Sequence, residues 1–143
     1  MRIKKATLAD MPIIKHLSKK YNFEQGREWK EAISHKNSEM FLLIQRGTVI
    51  GFTGLIHNAW NNTAQILDIF TAPPYRKQGL GLTAINFLVD KAKRKGYRCI
   101  TAEAPDSHVV LFYKKAGFRK CGYNDRYYSN IGKPIATWMS LDL

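Results

Sequence analysis

The segment Pro73-Pro74-Tyr75-Arg76-Lys77-Gln78-Gly79-Leu80-Gly81-Leu82-Thr83 decides the fold, because it joins a strand to a helix through a basic loop with two glycines. The residues before it, Ala64 to Phe70, are apolar, rich in β-branched and aromatic side chains, and ended by proline, which is typical of a strand. After it, apolar residues recur at helical spacing as far as Ala92, and Gly96 supplies a stop. The sequence therefore predicts a strand, a loop and a helix N-terminus in succession.

The loop has the features of a phosphate-binding turn. Gly79 and Gly81 allow backbone N–H groups to converge, and the dipole of the following helix favours an anion at its first turn. Arg76 and Lys77 place positive charge beside those groups. The loop thus indicates a ligand that carries phosphate.

Three interpretations of this loop are open. The first is a surface turn whose glycines only relieve backbone strain. The second is a dinucleotide fingerprint, since residues 79–84 satisfy G-x-G-x-x-A and Glu103 lies about 20 residues further on. That fingerprint expects its first glycine directly after the strand, whereas a proline-rich basic segment intervenes here. The third is a resemblance, and it rests on two blocks of sequence.

The first block is residues 69–81, Ile-Phe-Thr-Ala-Pro-Pro-Tyr-Arg-Lys-Gln-Gly-Leu-Gly. It resembles the acetyl-CoA motif of the GNAT acyltransferase superfamily, (Gln/Arg)-x-x-Gly-x-(Gly/Ala), with Arg76, Gly79 and Gly81 at the three signature positions. The second block, residues 111–118, Leu-Phe-Tyr-Lys-Lys-Ala-Gly-Phe, is similar to the family's downstream segment Leu-Tyr-Glu-Lys-x-Gly-Phe. One helix and one strand separate the two blocks, which fits the family.

The resemblance implies an α+β fold. Its centre is a mixed, mostly antiparallel sheet flanked by helices, with a V-shaped splay between two central parallel strands, Ile66–Phe70 and Arg98–Glu103. It also implies an N-acetyltransferase, which moves an acetyl group from acetyl-CoA directly to a primary amine of a small molecule or peptide. Acetyl-CoA is then the donor substrate, and no metal is expected.

The resemblance further implies where the donor binds. The pantetheine arm enters the splay beside the backbone of Phe70 and Thr71, and the pyrophosphate faces backbone N–H groups of the loop. Thr71 stands where the family commonly has valine, and Asp106 where it often has asparagine. The expected cofactor-binding residues are Phe70, Thr71, Arg76, Lys77, Gln78, Gly79, Leu80, Gly81, Leu82, Thr83 and Asp106.

Two catalytic residues are expected, because acetyl transfer needs a neutral amine and a proton for the departing thiolate. Tyr113 matches the family's general acid, and the alternative is a core tyrosine whose hydroxyl is bonded to the backbone. Many members carry a glutamate where this chain has Leu67, which leaves Asp68 as the candidate general base or as a structural carboxylate. Other candidates for the base are Glu103, His57 and His108.

Three segments are expected to form the acceptor pocket, namely residues 21–27, 57–62 and 123–128. Tyr123, Tyr127, Tyr128 and Trp60 can form an aromatic wall around an amine, with cation–π attraction, or they can be ordinary packing and surface aromatics.

The remaining pattern predicts the other elements of the fold. Residues 2–6 read as a strand, Thr7 and Asp10 as a capping box before a helix, and residues 28–35 as a second helix. Residues 40–45 and 48–57 are expected to form a hairpin, with a bulge or a close backbone approach at Gly51 and Gly54. A helix from Asp106 to Ala116 is expected to be buried on more than one side. Residues 118–128 and 135–142 are expected to form an antiparallel pair that is joined through residues 130–134.

Length and composition set the class. The 143 residues suit one domain, residues 1–143, and a hydrophobic content of 45% with 12% aromatics is globular. No apolar run approaches the roughly 20 residues that span a bilayer, and the N-terminus lacks a signal-peptide apolar region. Cys99 and Cys121 have neither metal-ligand spacing nor a disulfide framework, which favours reduced thiols and a cytoplasmic location.

The charge of +12 favours anionic partners. Coenzyme A and nucleic acid both qualify, but no helix-turn-helix, zinc-finger or RNA-binding signature accompanies the basic clusters, so nucleic acid is the alternative rather than the expectation. No membrane association is expected, and the chain is expected to be a monomer or a homodimer.

Overall fold

The computed structural model describes residues 1–24, 26–128 and 134–143. Two short 3-10 helices, Leu8–Asp10 and Pro73–Tyr75, accompany the main elements. In chain order these are β1 (Arg2–Lys5), α1 (Met11–Lys20), α2 (Trp29–Ser34), β2 (Ser38–Gln45), β3 (Thr48–Asn58), β4 (Thr63–Thr71), α3 (Leu80–Arg94), β5 (Cys99–Ala104), α4 (Ser107–Lys115), β6 (Arg119–Asn124) and β7 (Ala136–Asp142).

The strands form one seven-stranded sheet in the order β1-β2-β3-β4-β5-β7-β6. Neighbouring strands are antiparallel except for β4 and β5, which are parallel and are connected through α3. The expected α+β fold with a mixed, mostly antiparallel sheet is therefore confirmed.

Helices cover both faces of the sheet. On one face, α1 and α2 bury Ile14 and Trp29 against Phe52 and Phe70. On the other face, α3 and α4 contribute to a second core cluster, which includes Ile85, Leu88, Val110 and Tyr113 together with Ile66 and Ile100 of the central strands. Both faces of the central strands are thus covered.

The N-terminal cap forms as the sequence predicts. The backbone N–H of Thr7 donates to Asp10 Oδ2 at 2.9 Å, which satisfies a donor that the helix start would leave free. α1 then begins with proline in its first turn and ends with two lysines, Lys19 and Lys20, near the negative end of its dipole.

The glycines of β3 behave as expected. A Cβ at Gly51 would collide with the carbonyl oxygen of Phe70 on β4, so only glycine permits this approach. Opposite Gly54 the register shifts, because the two steps from Thr53 to Leu55 match three steps on β4, from Ile69 to Ile66; a bulge is present as expected, but its extra residue lies on β4.

Two expectations about the C-terminal third need correction. α4 is buried on one side only, because Val110 and Tyr113 are buried while Leu111 is 56% exposed. β6 ends at Asn124 instead of residue 128, because residues 125–126 turn the chain. Of the expected connection at residues 130–134, all but Pro134 lies outside the described residues.

None of the helices that the structure describes is long and apolar enough to cross a membrane.

Candidate active site

β4 and β5 pair over only three residues before they separate. The parallel pairs are Thr63 with Cys99, Ala64 with Ile100 and Gln65 with Thr101. Beyond them, β4 continues to Thr71 beside β3, while β5 continues to Ala104 beside β7. The parallel arrangement and the splay are confirmed, but the expected pairing of residues 66–70 is wrong. Each strand follows its antiparallel neighbour, so the backbone of residues 66–71 has an edge that faces a cleft.

The glycine loop lies at the end of β4 and leads into α3. Gly79 has φ +76°, a left-handed conformation that side chains disfavour, and it caps the helix. The first helical hydrogen bond there runs from the N–H of Thr83 to the oxygen of Gly79, at 3.1 Å. The N–H groups of Leu80, Gly81 and Leu82 therefore precede the helical bonds and can bind an anion. This helix N-terminus carries no acidic residue in its first turn.

The two cations of the loop differ in their contacts. Arg76 donates through Nε to the carbonyl oxygen of Thr71 at 2.8 Å and lies over the ring of Phe70. Its guanidinium thus lies across the end of β4. Lys77, in contrast, is exposed, and its backbone is in the left-handed region with φ +63°. A 3-10 helix, Pro73–Tyr75, separates β4 from the first glycine, so the loop lacks the direct strand-to-glycine step of a dinucleotide fingerprint.

α4 presents the next two expected residues. Asp106 caps its N-terminus, and the N–H of Val109 donates to Oδ1 of this carboxylate at 3.0 Å. Tyr113 lies two turns further on, buried between Phe112 and Phe118. Burial raises the pKa of Tyr113, and the negative charge of Glu103 raises it further. Its hydroxyl thus keeps its proton, and no hydrogen bond from it to another described residue is formed, contrary to the backbone-bonded alternative.

Asp68 lies near the same cleft, but it is already paired. Arg27 Nη2 donates to Asp68 Oδ1 at 2.8 Å, and the Asp68 side chain is only 3% exposed. Burial raises the pKa of Asp68 to about 7 in spite of the positive charge of Arg27, which acts in the opposite direction. Nothing in the sequence marked Arg27 as its partner, because the two are separated by 41 positions.

Glu103 is a second, half-buried carboxylate beside the cleft. It lies on β5 beyond the last residue that pairs with β4, and Gln65 Nε2 donates to its Oε2 at 3.1 Å. Its partial burial raises the pKa of Glu103. The negative charge of Glu103 in turn raises the pKa values of Tyr113, Tyr127 and Tyr128.

The two histidines considered as candidate bases, His57 and His108, lie away from the cleft. His57 pairs with Ala64 near the beginning of β4, and its ring is bonded to Tyr97 at 2.7 Å and to Glu39 at 2.8 Å. This is the end of the sheet opposite the splay, and a polar cavity of about 420 Å³ borders it. His108 is exposed on α4. Neither histidine is brought to the cleft carboxylates.

The three segments expected to form the acceptor pocket do not all reach the cleft. Tyr21 and Phe23 pack on the ring of Phe70, with centroids 5.9 and 4.8 Å apart, so this segment borders the cleft, although Gln25 within it is not described. Tyr127 packs on Tyr128 and Trp138. Residues 57–62 do not belong to the pocket, because the β3–β4 turn carries them to the opposite end, where Trp60 is 86% exposed. The expected four-residue aromatic wall is therefore wrong in its inclusion of Trp60.

The described residues contain no group of three or more histidine, cysteine, aspartate or glutamate side chains that could hold a metal ion.

Comparisons with known proteins agree with this geometry. The model of the acetyltransferase (GNAT) family matches residues 7–118. Streptothricin acetyltransferase of Streptomyces lavendulae is 29% identical over 108 residues, which are 73% of this chain and 55% of that protein. The [ribosomal protein bS18]-alanine N-acetyltransferase of Escherichia coli K12 is 25% identical over 141 residues, 94% of this chain and 92% of that one.

Solved structures share the whole fold. The crystal structure of the E. coli ribosomal-protein-S18-alanine N-acetyltransferase superposes with a TM-score of 0.86 at 21% identity, covering 99% of this chain and 92% of that chain. A GNAT family acetyltransferase from Elizabethkingia anophelis, solved with acetyl-CoA bound, gives a TM-score of 0.78 at 18% identity, with 99% and 97% covered.

Proposed function

The chain belongs to the acetyltransferase (GNAT) family and is an N-acetyltransferase that uses acetyl-CoA, and we propose that its acceptor is a positively charged amine bound in the cleft between β4 and β5. The observation that carries this proposal is the separation of the two strands after Gln65, directly beside the glycine loop. A polar edge, a helix N-terminus, the buried carboxylate of Asp68 and the half-buried carboxylate of Glu103 meet there.

The donor site consists of backbone groups. The edge of β4 at Phe70 and Thr71 offers N–H and C=O groups to the amides of the pantetheine arm, and the N–H groups of residues 80–82 bind the pyrophosphate. Arg76 and Lys77 add positive charge. Acetyl-CoA supplies the thioester whose acetyl group is transferred.

We assign the general acid to Tyr113. A group that donates a proton near neutral pH must still hold it, and burial keeps this hydroxyl protonated. On α4 it directly follows Phe112, whose ring lies beside Gly81, and this connects it to the donor loop.

We assign the general base to Glu103 rather than to Asp68. A base must be free to accept a proton from the amine, and Asp68 is held by the guanidinium of Arg27. Among the residues that the structure describes, Glu103 accepts a neutral hydrogen bond from Gln65 and forms no ion pair, and its raised pKa makes it a stronger base than an ordinary glutamate.

The acceptor side of the cleft is acidic within a strongly basic protein. The negative charges of Glu24 and Glu103 both raise the pKa of Asp68, and Arg27 is the cation among these carboxylates. Such a local field attracts ammonium groups in spite of the net charge of +12. The two sequence relatives are named for streptothricin and for the alanine of a ribosomal protein, so both small molecules and peptides are acceptors to test.

We further propose that residues 1–143 act as a single cytoplasmic domain, as a monomer or a homodimer. The single sheet and the free thiols of Cys99 and Cys121 support this. Sedimentation analysis of the purified chain, with and without acetyl-CoA, measures the oligomeric state directly.

Calorimetric titration with CoA, acetyl-CoA and NAD tests the donor site, and a thiol-release assay with a panel of amines tests the transfer. We expect micromolar binding of CoA and acetyl-CoA, no binding of NAD, and acetyl-CoA consumption that depends on an amine. Binding of NAD, or of duplex DNA with a steep salt dependence, in place of CoA would contradict the proposal.

A further inference from the structure

Asp68 has one oxygen to which no residue that the structure describes donates a hydrogen bond. Oδ1 accepts from Arg27, but Oδ2 is buried and has no partner among the described residues. A buried carboxylate oxygen without a donor is costly, by about 1–3 kcal/mol, so such an oxygen in a native structure requires an explanation. A ligand that brings a donor to it provides one.

Arg27 holds this carboxylate by a single nitrogen. Nη2 pairs with both Asp68, at 2.8 Å, and Glu24, at 3.3 Å, while Nε is buried and has no partner within the described part of the chain. The two-point, side-by-side geometry that makes arginine–carboxylate pairs strong is therefore absent. We therefore treat this pair as one that can exchange its partner, and not as a fixed structural ion pair.

Glu24 offers Arg27 a second, more exposed partner. The Glu24 side chain is 42% exposed and the Arg27 side chain 25%, whereas Asp68 is enclosed. If Arg27 moves outward it keeps Glu24 as a partner, and a cation that replaces it keeps Asp68 paired. Each charge keeps a partner during this exchange, so the large energetic cost of an unpaired buried charge does not arise.

From this geometry, and resting on the acetyl transfer proposed above, we propose that Asp68 binds a second positively charged group of the acceptor, and that Arg27 occupies this place until the acceptor enters. The group on Asp68 is not the nitrogen that is acetylated, because pairing with a carboxylate keeps an amine protonated and unreactive. The enzyme accordingly selects amines that carry an additional cation, such as linear diamines, over simple monoamines.

The first test compares linear diamines with monoamines of the same chain length by thiol release from acetyl-CoA. We expect kcat/KM to favour the diamine about tenfold or more, and Asp68→Asn to remove this preference by lowering kcat/KM far more for the diamine than for the monoamine. Asp90→Asn, the same change at an exposed position on α3, should keep the preference. A preference that survives Asp68→Asn, or its absence in the wild type, overturns the inference. If no amine of either kind is acetylated, the proposed function itself fails.

The second test removes the resident cation. Arg27→Gln should lower the KM for the diamine several-fold and leave the KM for acetyl-CoA unchanged, whereas Arg27→Lys should resemble the wild type. A higher KM for the diamine in a folded Arg27→Gln protein means that Arg27 is a structural support, and the inference is wrong. Should Arg27→Gln not fold, methylguanidinium replaces it as a probe: it should inhibit the wild type competitively against the diamine and have no such effect on Asp68→Asn.

Discussion

A Cβ atom on Gly81 would lie 3.1 Å from Cζ of Phe112, so the first turn of α3 and the side of α4 meet at a contact that only glycine allows without adjustment. The two blocks of sequence on which the family resemblance rests are joined here. The glycine therefore has a packing role as well as a place in the donor loop, and the two roles can be separated by experiment.

Gly81→Ala should lower both stability and CoA affinity, because the ring of Phe112 has to shift by a few tenths of an ångström. Phe112→Leu makes room for the added methyl group. The double variant should recover thermal stability relative to Gly81→Ala, as measured by calorimetric melting, but it should not recover CoA affinity. Full recovery of affinity would mean that Gly81 matters only for packing.

Gly79→Ala should weaken CoA binding, and Gly96→Ala should not. Both glycines have φ +76° and space around the position of a Cβ, so alanine costs a similar strain of about 1–2 kcal/mol at each. Only Gly79 precedes the N–H groups that we assign to the pyrophosphate. Titration calorimetry of the two variants beside Arg76→Ala, which should lose less affinity than Gly79→Ala, checks this assignment, and equal affinities for all three would refute it.

Tyr113→Phe should keep the ring contacts and CoA affinity but lower kcat by about 10²–10⁴-fold, the usual contribution of a general acid. The hydroxyl has no hydrogen bond to another described residue, so its loss should leave the melting temperature nearly unchanged. Steady-state thiol release with a saturating amine measures kcat. A wild-type kcat across the pH range would leave Tyr113 as a packing residue.

Glu103→Gln should lower kcat/KM and flatten its rise on the acid side of the pH profile. The base must be ionised, and burial raises the pKa of Glu103, so the wild-type rate should fall as the pH drops through this raised value. A monoamine is the right acceptor for this profile, since it does not require Asp68. If Asp68→Asn flattens the acid side and Glu103→Gln does not, the base is Asp68.

Asp68 should also make the stability of the fold depend on pH. Its pKa rises from 3.8 to about 7 in the native protein, so the native state binds this proton more tightly than the unfolded state does. The favourable contribution is complete below pH 3.8 and is lost as the pH rises through about 7. Urea unfolding of the wild type and Asp68→Asn across this range should show the wild type losing stability relative to the variant. A constant difference would contradict the raised pKa.

The sequence predicted the elements around the glycine loop because prolines and glycines mark their ends. Pro73 ends β4, Gly79 begins α3 and Asp106 caps α4, and each acts within a few residues of its own position. The resemblance then placed these elements in a sheet with a parallel central pair.

The electrostatic partners could not be predicted in the same way. Arg27 and Asp68 meet across 41 positions, and Gln65 and Glu103 across 38, through the packing of separate elements. His57 and Trp60 were assigned to the pocket region although the β3–β4 turn directs them to the other end of the sheet. The end of the sheet at which a residue lies depends on the direction of its strand within the sheet, and this direction cannot be read from a local sequence pattern.

The separation of β4 from β5 leaves the sheet with a gap in its hydrogen bonding that a neighbouring strand would otherwise fill. In the donor position that we propose, the pantetheine arm lies in this gap and completes the sheet, and a ligand bound only by the folded state adds to its stability. At a concentration one hundred times its dissociation constant the gain is about 2.7 kcal/mol, a large part of the stability of a domain of this size. We therefore expect the lifetime of the folded chain to be linked to the supply of acetyl-CoA, with the best protection from unfolding and proteolysis when the donor is abundant.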